Sequence, residues 1–354
     1  MAAPPASPEF TPGRGAGPAG RGHRRLVRIL VAVGIAVVLA LAGGSLAAAL
    51  LIYRYDQAVP RDVLLAPSAR VHDPGQRAQV TGPLNLLLIG SDYRTWNPTM
   101  GQRSDTIILA HLPATLDRVY LISIPRDLWV RIPADPRTRF AGAEAKINAA
   151  FEYGGAGAGG TQLLSQTLTN LVGVRFDAAA VIDFNGLAKA VDVLGGVEYC
   201  VDTQTVSIHT GRVFPPGCRL MHGADAVDYL RQRGYADGDF TRQRHQQQFL
   251  KALLARVRSV GGLTSPLTMD ALLRAVAGSL TVDTGALSLP DLVFTLRGLR
   301  PEALTGIKVP YTYDMVGDES VVRATDEAKA LFAAVRSDTL AGWTASHARW
   351  VNKI

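Results

Sequence analysis

An uncharged stretch at residues 29–53, ILVAVGIAVVLALAGGSLAAALLIY, constrains the fold of this chain more than any other feature. As a helix it would extend about 37 Å at about 1.5 Å per residue, which exceeds a bilayer hydrocarbon core of about 30 Å. Five arginines precede the stretch, and positive residues stay on the cytoplasmic side of a membrane. We therefore expect one transmembrane helix at 29–53, with the N-terminus cytoplasmic and the rest of the chain outside.

The residues before this stretch, 1–28, are dominated by Pro, Gly, Ala and Arg, so we expect a disordered cytoplasmic tail. A cleaved signal peptide is the alternative, because the letters LAAA near the end of the stretch supply small residues for cleavage. Signal peptides have apolar regions of about 7–15 residues, and this stretch is longer. The sequence therefore favours a retained membrane anchor.

The formal charge of the chain is concentrated at its N-terminus. Of a net +7, six Arg and one Glu in residues 1–54 account for +5, which leaves +2 for the remainder. This near-neutral remainder excludes a broad nucleic-acid-binding surface and allows only a local basic site. With 47% hydrophobic residues, the exported part is large enough for one sizeable domain.

The two cysteines, Cys200 and Cys218, both lie in the part expected outside the membrane. In an oxidising compartment one such pair can form a disulfide worth about 3 kcal/mol, and two buried thiols are the alternative. The sequence favours the disulfide.

Apolar runs and helix-like segments interleave after a linker at residues 54–81. Strands are expected at 84–90, 106–112, 118–124, 178–184, 197–202 and 305–311, with the second and third joined as a hairpin. Helices are expected at 145–155, 161–173, 185–196 with Asn185 as its cap, 222–233, 241–260, within 266–300, and 324–338. This pattern predicts an α/β fold with a mixed central β-sheet and helices on both faces, in a domain spanning 82–338 and followed by a tail at 339–354.

Two carboxylates are expected at one edge of this sheet. Asp92 follows the first strand and Asp105 begins the second, so antiparallel neighbours would bring them together. Paired carboxylates repel and are stabilised by a divalent cation, and oxygen ligands suit Mg²⁺ or Mn²⁺. Because Mg²⁺ usually binds together with a substrate phosphate, an anion site is expected beside them.

Cations are expected at the same place. Arg103 shares a strand face with Asp105, and a weak surface ion pair is the simpler interpretation of that spacing. Arg126 follows the third strand behind Pro125. Lys146 is predicted at the start of a helix, where a cation opposes the helix dipole, so either a ligand or plain solvation explains it.

The segment YLRQRGYADGDFTRQRHQQQFLKALL adds further cations. Arg231 and Arg233 are predicted to end one helix, where cations are favourable. On the next helix, Arg242 and Gln246 share the face that becomes apolar further along, so both are expected to point inward. The buried guanidinium needs a partner, either Asp237, Asp239 or a bound phosphate. Together these residues predict a metal-plus-arginine pyrophosphate clamp.

The chain resembles the LytR-CpsA-Psr family, of an actinobacterial kind. The resemblance covers about residues 84–338 and rests on the motifs LLLIGSDYR, RSDTIILAHL, VYLISIPRDLWV, KINAAFEYGG, VIDFNGLAKAVDVLGGVEYCVD and YLRQRGYADGDFTRQRHQQQF. It implies a transferase that moves a glycopolymer from a polyprenyl-pyrophosphate carrier to a peptidoglycan acceptor through a phosphodiester bond. The polymer, whether teichoic acid, arabinogalactan or capsule, is not identified by the sequence.

The resemblance also implies roles for individual residues. Asp92 and Asp105 match the metal-binding acids, and the pyrophosphate-binding positions are matched by Arg103, Arg126, Arg231 and Arg233, with Lys146, Arg242 and Gln246 in support. Asp92, Asp105, Arg103 and Arg126 are the expected catalytic residues. One position departs from the family pattern, because His245 stands where an Arg is frequent, and this weakens one expected phosphate contact.

Two other functions are compatible with the same residues. A pyrophosphatase acting on the same lipid would use water in place of the peptidoglycan acceptor. A non-catalytic regulator of the envelope would bind the prenyl lipid without turning it over. A DNA-binding role is disfavoured because the expected cytoplasmic part is only a short tail.

Overall fold

A computed structural model of the chain describes residues 60–73, 76–91, 104–155, 157–261, 266–276 and 278–354. These residues belong to one structural unit that begins at Arg54. The expected tail and membrane helix, residues 1–53, lie outside the described residues. Within the described ranges, no helix has both the length and the hydrophobicity needed to cross a bilayer.

The described residues form a central sheet of seven strands. From one edge to the other the strands are β11 (Leu280–Asp283), β6 (Ala178–Asp183), β1 (Leu84–Ser91), β2 (Ser104–Leu112), β3 (Val119–Ser123), β12 (Leu304–Lys308) and β15 (Val351–Asn352). The pairs β1–β6 and β3–β12 are parallel, and the other four are antiparallel. The sheet is therefore mixed, as predicted, and the β2–β3 hairpin is confirmed.

Four two-stranded sheets of the described residues lie around this centre. They pair β4 (Trp129–Ile132) with β5 (Ala143–Lys146), β7 (Val197–Val201) with β10 (Gly217–Met221), β8 (Thr205–Val206) with β9 (Val213–Phe214), and β13 (Tyr311–Val316) with β14 (Glu319–Ala324). Cys200 and Cys218 face each other across the β7–β10 pair and form a disulfide, which confirms the prediction.

The helices of the described residues are α1 (Ala149–Tyr153), α2 (Ala158–Val172), α3 (Phe184–Val193), α4 (Gly223–Leu230), α5 (Asp239–Ser259), α6 (Pro266–Val276), α7 (Leu289–Leu296), α8 (Asp326–Arg336) and α9 (Leu340–Ser346). Alternate residues of β2 enter different cores: Ile107 packs in a cluster with residues of α2 and α8, and Ile108 packs in one with residues of α5 and α7. Helices therefore cover both faces of the sheet, as predicted.

Three local predictions are wrong. Lys146 does not begin a helix, because it ends β5 and pairs with Trp129 in the β4–β5 hairpin. Asn185 is not the cap of α3, because the helix begins one residue earlier and the side chain of Asp183 accepts a hydrogen bond from the Gly186 N–H at 2.7 Å. The 266–300 region is not all helical, since its residues Leu280–Asp283 pair with β6 as the sheet-edge strand β11.

Two segments expected to be peripheral are packed into the domain. In the 54–81 linker, Leu64 and Leu65 are buried and their N–H groups donate to Asp283 Oδ2 at 2.9 and 3.0 Å. The expected tail at 339–354 forms α9 and β15, which pairs with β12. A two-residue strand is too short to give an alternating pattern, which is why the sequence did not reveal it.

Candidate functional site

The carboxylate of Asp105 joins two arginines at the mouth of the central sheet. Arg126 Nη1 donates to Oδ1 at 2.9 Å, and Arg233 Nη2 lies 2.8 Å from Oδ2. The Asp105 side chain is only 11% exposed, so these are partly desolvated, charge-assisted contacts.

The ends of several elements meet at this carboxylate. Asp105 is the second residue of β2 and follows the buried Ser104, which pairs with Ser91 at the end of β1. Arg126 follows β3, where Pro125 cannot continue the ladder. Arg233 lies in the loop after α4, which ends at Leu230 and so is shorter than predicted. The fold thus assembles the site from segments that are distant in the chain.

Arg242 completes the cluster from the first turn of α5. Its side chain is 2% exposed, and Nη2 donates to the main-chain oxygen of Asp105 at 2.7 Å. The same atom lies 2.5 Å from Asp239 Oδ1, an i, i+3 ion pair. The predicted inward orientation of Arg242 is confirmed, and of the partners considered from the sequence the structure shows Asp239. We call Asp105, Arg126, Arg233, Arg242 and Asp239 the Asp105 cluster.

The charges of the cluster keep its acid ionised. Burial alone would raise the pKa of Asp105, but the positive charges of Arg233, Arg242 and Arg126 outweigh it and lower the pKa below its usual value. Burial likewise lowers the pKa of Arg242, although a guanidinium titrates too high to lose its charge at neutral pH. The cluster is therefore a set of fixed charges at neutral pH.

Lys146 lies near the cluster but pairs with other acids. Its Nζ is 3.3 Å from Glu319 Oε2 and 3.9 Å from Asp127 Oδ1, and Asp127 Oδ2 is 3.5 Å from Arg126 Nε. Asp127 thus lies between Lys146 and Arg126 and connects Lys146 to the cluster through ion-pair contacts.

Arg231 and Gln246, the other predicted supporting residues, adjoin apolar surface. The Arg231 guanidinium carbon lies 4.7 Å from the centroid of the Phe184 ring, a cation–π contact. Gln246 is half-buried and lines a cavity together with Phe184. Neither residue has a recorded contact with Asp105 in the described part of the chain.

One cavity is lined by residues of the Asp105 cluster, and a second is lined by Thr106, the residue after Asp105. The polar cavity, of about 380 Å³, is lined by Arg126, Asp127, Lys146, Arg233, Asp239 and Tyr313 among others. The apolar cavity, of about 200 Å³, is lined by Leu88, Thr106, Ile182, Phe184, Leu230 and Gln246 among others. Arg126, Arg233 and Asp239 of the cluster therefore line the polar cavity, and Thr106, which follows Asp105 in the chain, lines the apolar one.

Asp92 and Arg103 lie outside the described residues. Within the described ranges, no three His, Cys, Asp or Glu side chains come together in a geometry suited to a metal ion. Asp105 contributes one ionised carboxylate, and each of its oxygens keeps lone-pair capacity beyond one guanidinium contact. The described residues therefore fit a Mg²⁺ site to the extent of one carboxylate ligand.

His245, where the resemblance implies a departure from the family pattern, contacts residues outside the Asp105 cluster. Its side chain is 1% exposed, stacks on Tyr229, and places Nε2 3.2 Å from Asp202 Oδ1. Burial lowers the pKa of His245 below its ordinary value, against the opposing effect of Asp202. The substitution thus lies in a buried aromatic pocket.

Sequence reasoning missed several residues around the site. Asp127 is not among the predicted site residues, although it adjoins Arg126 in the chain. Phe184 is predicted only as the end of a strand. The β13–β14 hairpin, which carries Tyr313 into the polar cavity, was not predicted. Its signal was present, because Gly317 and Asp318 form a two-residue turn between runs rich in Val and Tyr.

The chain is similar to several known proteins. The LytR_cpsA_psr family model matches residues 52–336. The probable cell wall biosynthesis protein LcpB of Corynebacterium glutamicum is 33% identical over 279 residues, which cover 74% of this chain and 63% of LcpB. TagU of Oceanobacillus iheyensis, a polyisoprenyl-teichoic acid–peptidoglycan teichoic acid transferase, is 27% identical over 285 residues, or 75% of this chain and 83% of TagU.

Among solved structures, the LytR-Csp2A-Psr enzyme from Actinomyces oris is 24% identical with a TM-score of 0.54, over 75% of this chain and 96% of that one. This likeness shows that the mixed α/β fold is shared. The chain spans less than two thirds of the length of LcpB, and 53% of the length of the related C. glutamicum protein LcpA.

Proposed function

This chain belongs to the LytR_cpsA_psr family, and on that premise we propose that it transfers a glycopolymer from a polyprenyl-pyrophosphate carrier to peptidoglycan through a phosphodiester bond. TagU is named for such a transfer of teichoic acid, and LcpB for cell wall biosynthesis. The observation that carries the proposal is that the two arginines bound to Asp105 line a polar cavity, while Thr106, the next residue in the chain, lines an apolar one.

The two ends of such a donor match the two cavities in chemical character. A polyprenyl chain is pure hydrocarbon and suits the apolar cavity, where Leu88, Ile182 and Leu230 form part of the wall. Its pyrophosphate suits planar guanidinium groups, each of which has five N–H donors. Arg233 uses one of its terminal nitrogens on Asp105, and its side chain is 40% exposed, so further donors face the polar cavity.

Arg231 extends this set of cations toward the lipid. It stacks on Phe184 in the wall of the apolar cavity. The phosphate of a lipid whose prenyl chain occupies that cavity would therefore lie near the Arg231 guanidinium. Arg103 is assigned to the same clamp by the family motif, and Lys146, Arg242 and Gln246 support it. Arg242 is a positioning residue, because its buried guanidinium binds protein oxygens of Asp105 and Asp239.

The proposed reaction is a displacement at phosphorus. An acceptor hydroxyl oxygen forms a bond to the phosphorus next to the sugar, the bridging P–O bond breaks, and polyprenyl phosphate leaves. Arg126 and Arg233 stabilise the negative charge that develops on the phosphate oxygens. The hydroxyl proton passes to the departing phosphate, whose second pKa is about 6, because the lowered pKa of Asp105 makes that carboxylate a weak base.

Mg²⁺, or Mn²⁺, is the proposed cofactor, with Asp92 and Asp105 as its protein ligands. When bound, the ion would supply positive charge beside the phosphates. Asp105 supports this assignment, being ionised and only partly saturated by its two arginines.

The proposed location is the outer face of the cell membrane, with residues 29–53 as the single anchor. The uncharged run at residues 29–53, which five arginines precede, supports this proposal.

The test is a reaction of the full-length chain, in detergent, with a polyprenyl-pyrophosphate-linked saccharide, Mg²⁺ and peptidoglycan oligomers, with products identified by mass. We expect peptidoglycan carrying a phospho-saccharide, together with polyprenyl phosphate. Free saccharide phosphate in place of the linked product would show a hydrolase, and an unreacted donor would refute both activities. Arg118→Ala is the matched control, since Arg118 is exposed and pairs with its neighbour Asp117.

A further inference from the structure

One wall of the polar cavity is aromatic, and it comes from the β13–β14 hairpin. Strand alternation places Tyr311, Tyr313 and Met315 on one face of β13. Tyr311 stacks on Phe240 with ring centroids 3.6 Å apart, and Tyr313 meets both rings edge to face. Tyr313 lines the cavity and is 57% exposed, so its ring is fixed by its neighbours yet open to a ligand.

The floor of the polar cavity carries charges of both signs. Arg126, Lys146 and Arg233 line the cavity together with Asp127 and Asp239. Asp127 has ion-pair contacts at 3.5 and 3.9 Å, both too long for hydrogen bonds, and within the described residues its carboxylate accepts none. Its oxygens are therefore available to a ligand, and the Lys146 ammonium group, which lies 3.3 Å from Glu319 Oε2, has three N–H donors.

This combination distinguishes the cavity from a second phosphate site. A carboxylate in the wall repels a phosphate, and the face of an aromatic ring provides neither a positive charge nor a hydrogen-bond donor for it. A pyranose ring fits all three elements, because its hydroxyls donate to a carboxylate and accept from an ammonium group. Its C–H face carries the partial positive charge that the negative face of an aromatic ring attracts. A volume of about 380 Å³ lies within the range of small-ligand pockets.

We propose that the polar cavity is a saccharide subsite, in which Tyr313 stacks on one pyranose ring and Asp127 and Lys146 bind its hydroxyls. The inference rests on the proposed function for its ligand, since both the donor and the acceptor of that reaction carry sugars. Arg126 and Arg233 belong both to this cavity and to the Asp105 cluster, so the bound ring lies next to the reacting phosphate. The sugar belongs either to the donor glycan or to peptidoglycan, and the experiment separates these two sources.

The test is equilibrium binding to the full-length chain in detergent. One probe is the soluble peptidoglycan disaccharide, N-acetylglucosamine–N-acetylmuramic acid, and the other is N-acetylglucosamine linked through pyrophosphate to a short prenyl chain. We expect Tyr313→Ala to weaken at least one of them roughly three- to tenfold, and Tyr313→Phe, which keeps the ring, to stay within twofold of the parent. Asp127→Asn should weaken the same probe. Inorganic pyrophosphate should bind Tyr313→Ala as it binds the parent.

Met315→Ala is the matched control, because Met315 lies on the same face of β13, is equally exposed and does not contribute to the cavity wall. A loss for the disaccharide assigns the acceptor, and a loss for the prenyl-linked probe assigns the donor. If the parent binds neither probe, or if Tyr313→Ala binds both like the parent, the subsite is refuted. A Tyr313-dependent affinity in a chain that shows no transfer would uphold the subsite and refute the proposed reaction.

Discussion

The guanidinium of Arg242 and the main-chain oxygen of Asp105 are hydrogen-bonded at 2.7 Å, although the two residues are 137 positions apart in the chain. This bond joins the first turn of α5 to the start of β2, the segment that carries the Asp105 carboxylate. Because Arg242 is 2% exposed and also pairs with Asp239, it orients the acid that Arg126 and Arg233 share. The site is therefore held by a buried arginine beneath two more exposed ones.

Removal of Arg242 should destabilise the fold. Arg242→Ala leaves Asp239 and the Asp105 carbonyl without their buried partner, so we expect the free energy of unfolding to fall by about 3 kcal/mol or more. Arg244→Ala is the matched control on the same helix, because Arg244 is 34% exposed and its loss should cost under about 1 kcal/mol. Urea denaturation of both variants measures the difference, and equal losses would contradict the role of Arg242.

The neutral, buried state of His245 should make stability depend on pH. Burial lowers its pKa in the folded chain below 6.5, so from about pH 6.5 downward the unfolded chain binds more protons and stability falls. His245→Gln removes this titration, although Asp202, Arg244 and Tyr229 remain around the site. The measurement is the free energy of unfolding of parent and variant between pH 5 and 8, and the two values should converge as pH falls. Parallel curves of unfolding free energy against pH would show that His245 does not titrate.

The central sheet could be predicted from the sequence because its strands are buried on both faces and appear as apolar runs. The apolar runs predict the strands Leu84–Ser91 and Ser104–Leu112 in this way. The short connection from Ser104–Leu112 to Val119–Ser123 predicts that these two strands pair as a hairpin. The edge strands Leu280–Asp283 and Val351–Asn352 were missed because they are short and half-buried. Their stability comes from pairing with neighbours that local sequence does not show.

The sequence predicts several of the residues that form the site but not the partners that they contact. The sequence predicts Arg126, Arg233 and Arg242 in one pyrophosphate clamp with Asp105, and in the structure all three contact Asp105 itself. The partners of Lys146 were not foreseen, because Glu319 lies on a hairpin far along the chain. Long-range pairing of that kind depends on how the elements pack, which the spacing of residues in one segment does not encode.

The disulfide between Cys200 and Cys218 should be present in the mature chain. Thiol labelling of the unfolded, unreduced protein should find no free thiol, and two labels per chain would contradict the bond. Cys200→Ser with Cys218→Ser should lower the free energy of unfolding by about 3 kcal/mol, because the bond closes an 18-residue separation.

The membrane anchor proposed at residues 29–53 should remain attached after export. N-terminal sequencing of the mature protein from membranes should give the start of the cytoplasmic tail. A mature chain beginning near Leu50 would show cleavage of a signal peptide instead. Alkaline extraction, which leaves integral proteins in the membrane, provides a second readout.

The central claim is that the arginines around Asp105 bind the pyrophosphate of the donor. Arg126→Ala, Arg231→Ala and Arg233→Ala should each lower the transfer rate by about 10²- to 10³-fold, the usual effect of losing one donor to developing charge. Arg118→Ala should stay within twofold. The fold should persist in the three site variants, because Asp105 keeps at least Arg242 and one side-chain partner in each.

Transfer rates and melting temperatures of these four variants, measured beside the parent chain with polyprenyl-pyrophosphate-linked saccharide and peptidoglycan oligomers, test this claim most directly. The account predicts slow transfer with near-parent melting temperatures for Arg126→Ala, Arg231→Ala and Arg233→Ala. Folded variants that transfer at the rate of Arg118→Ala would contradict it.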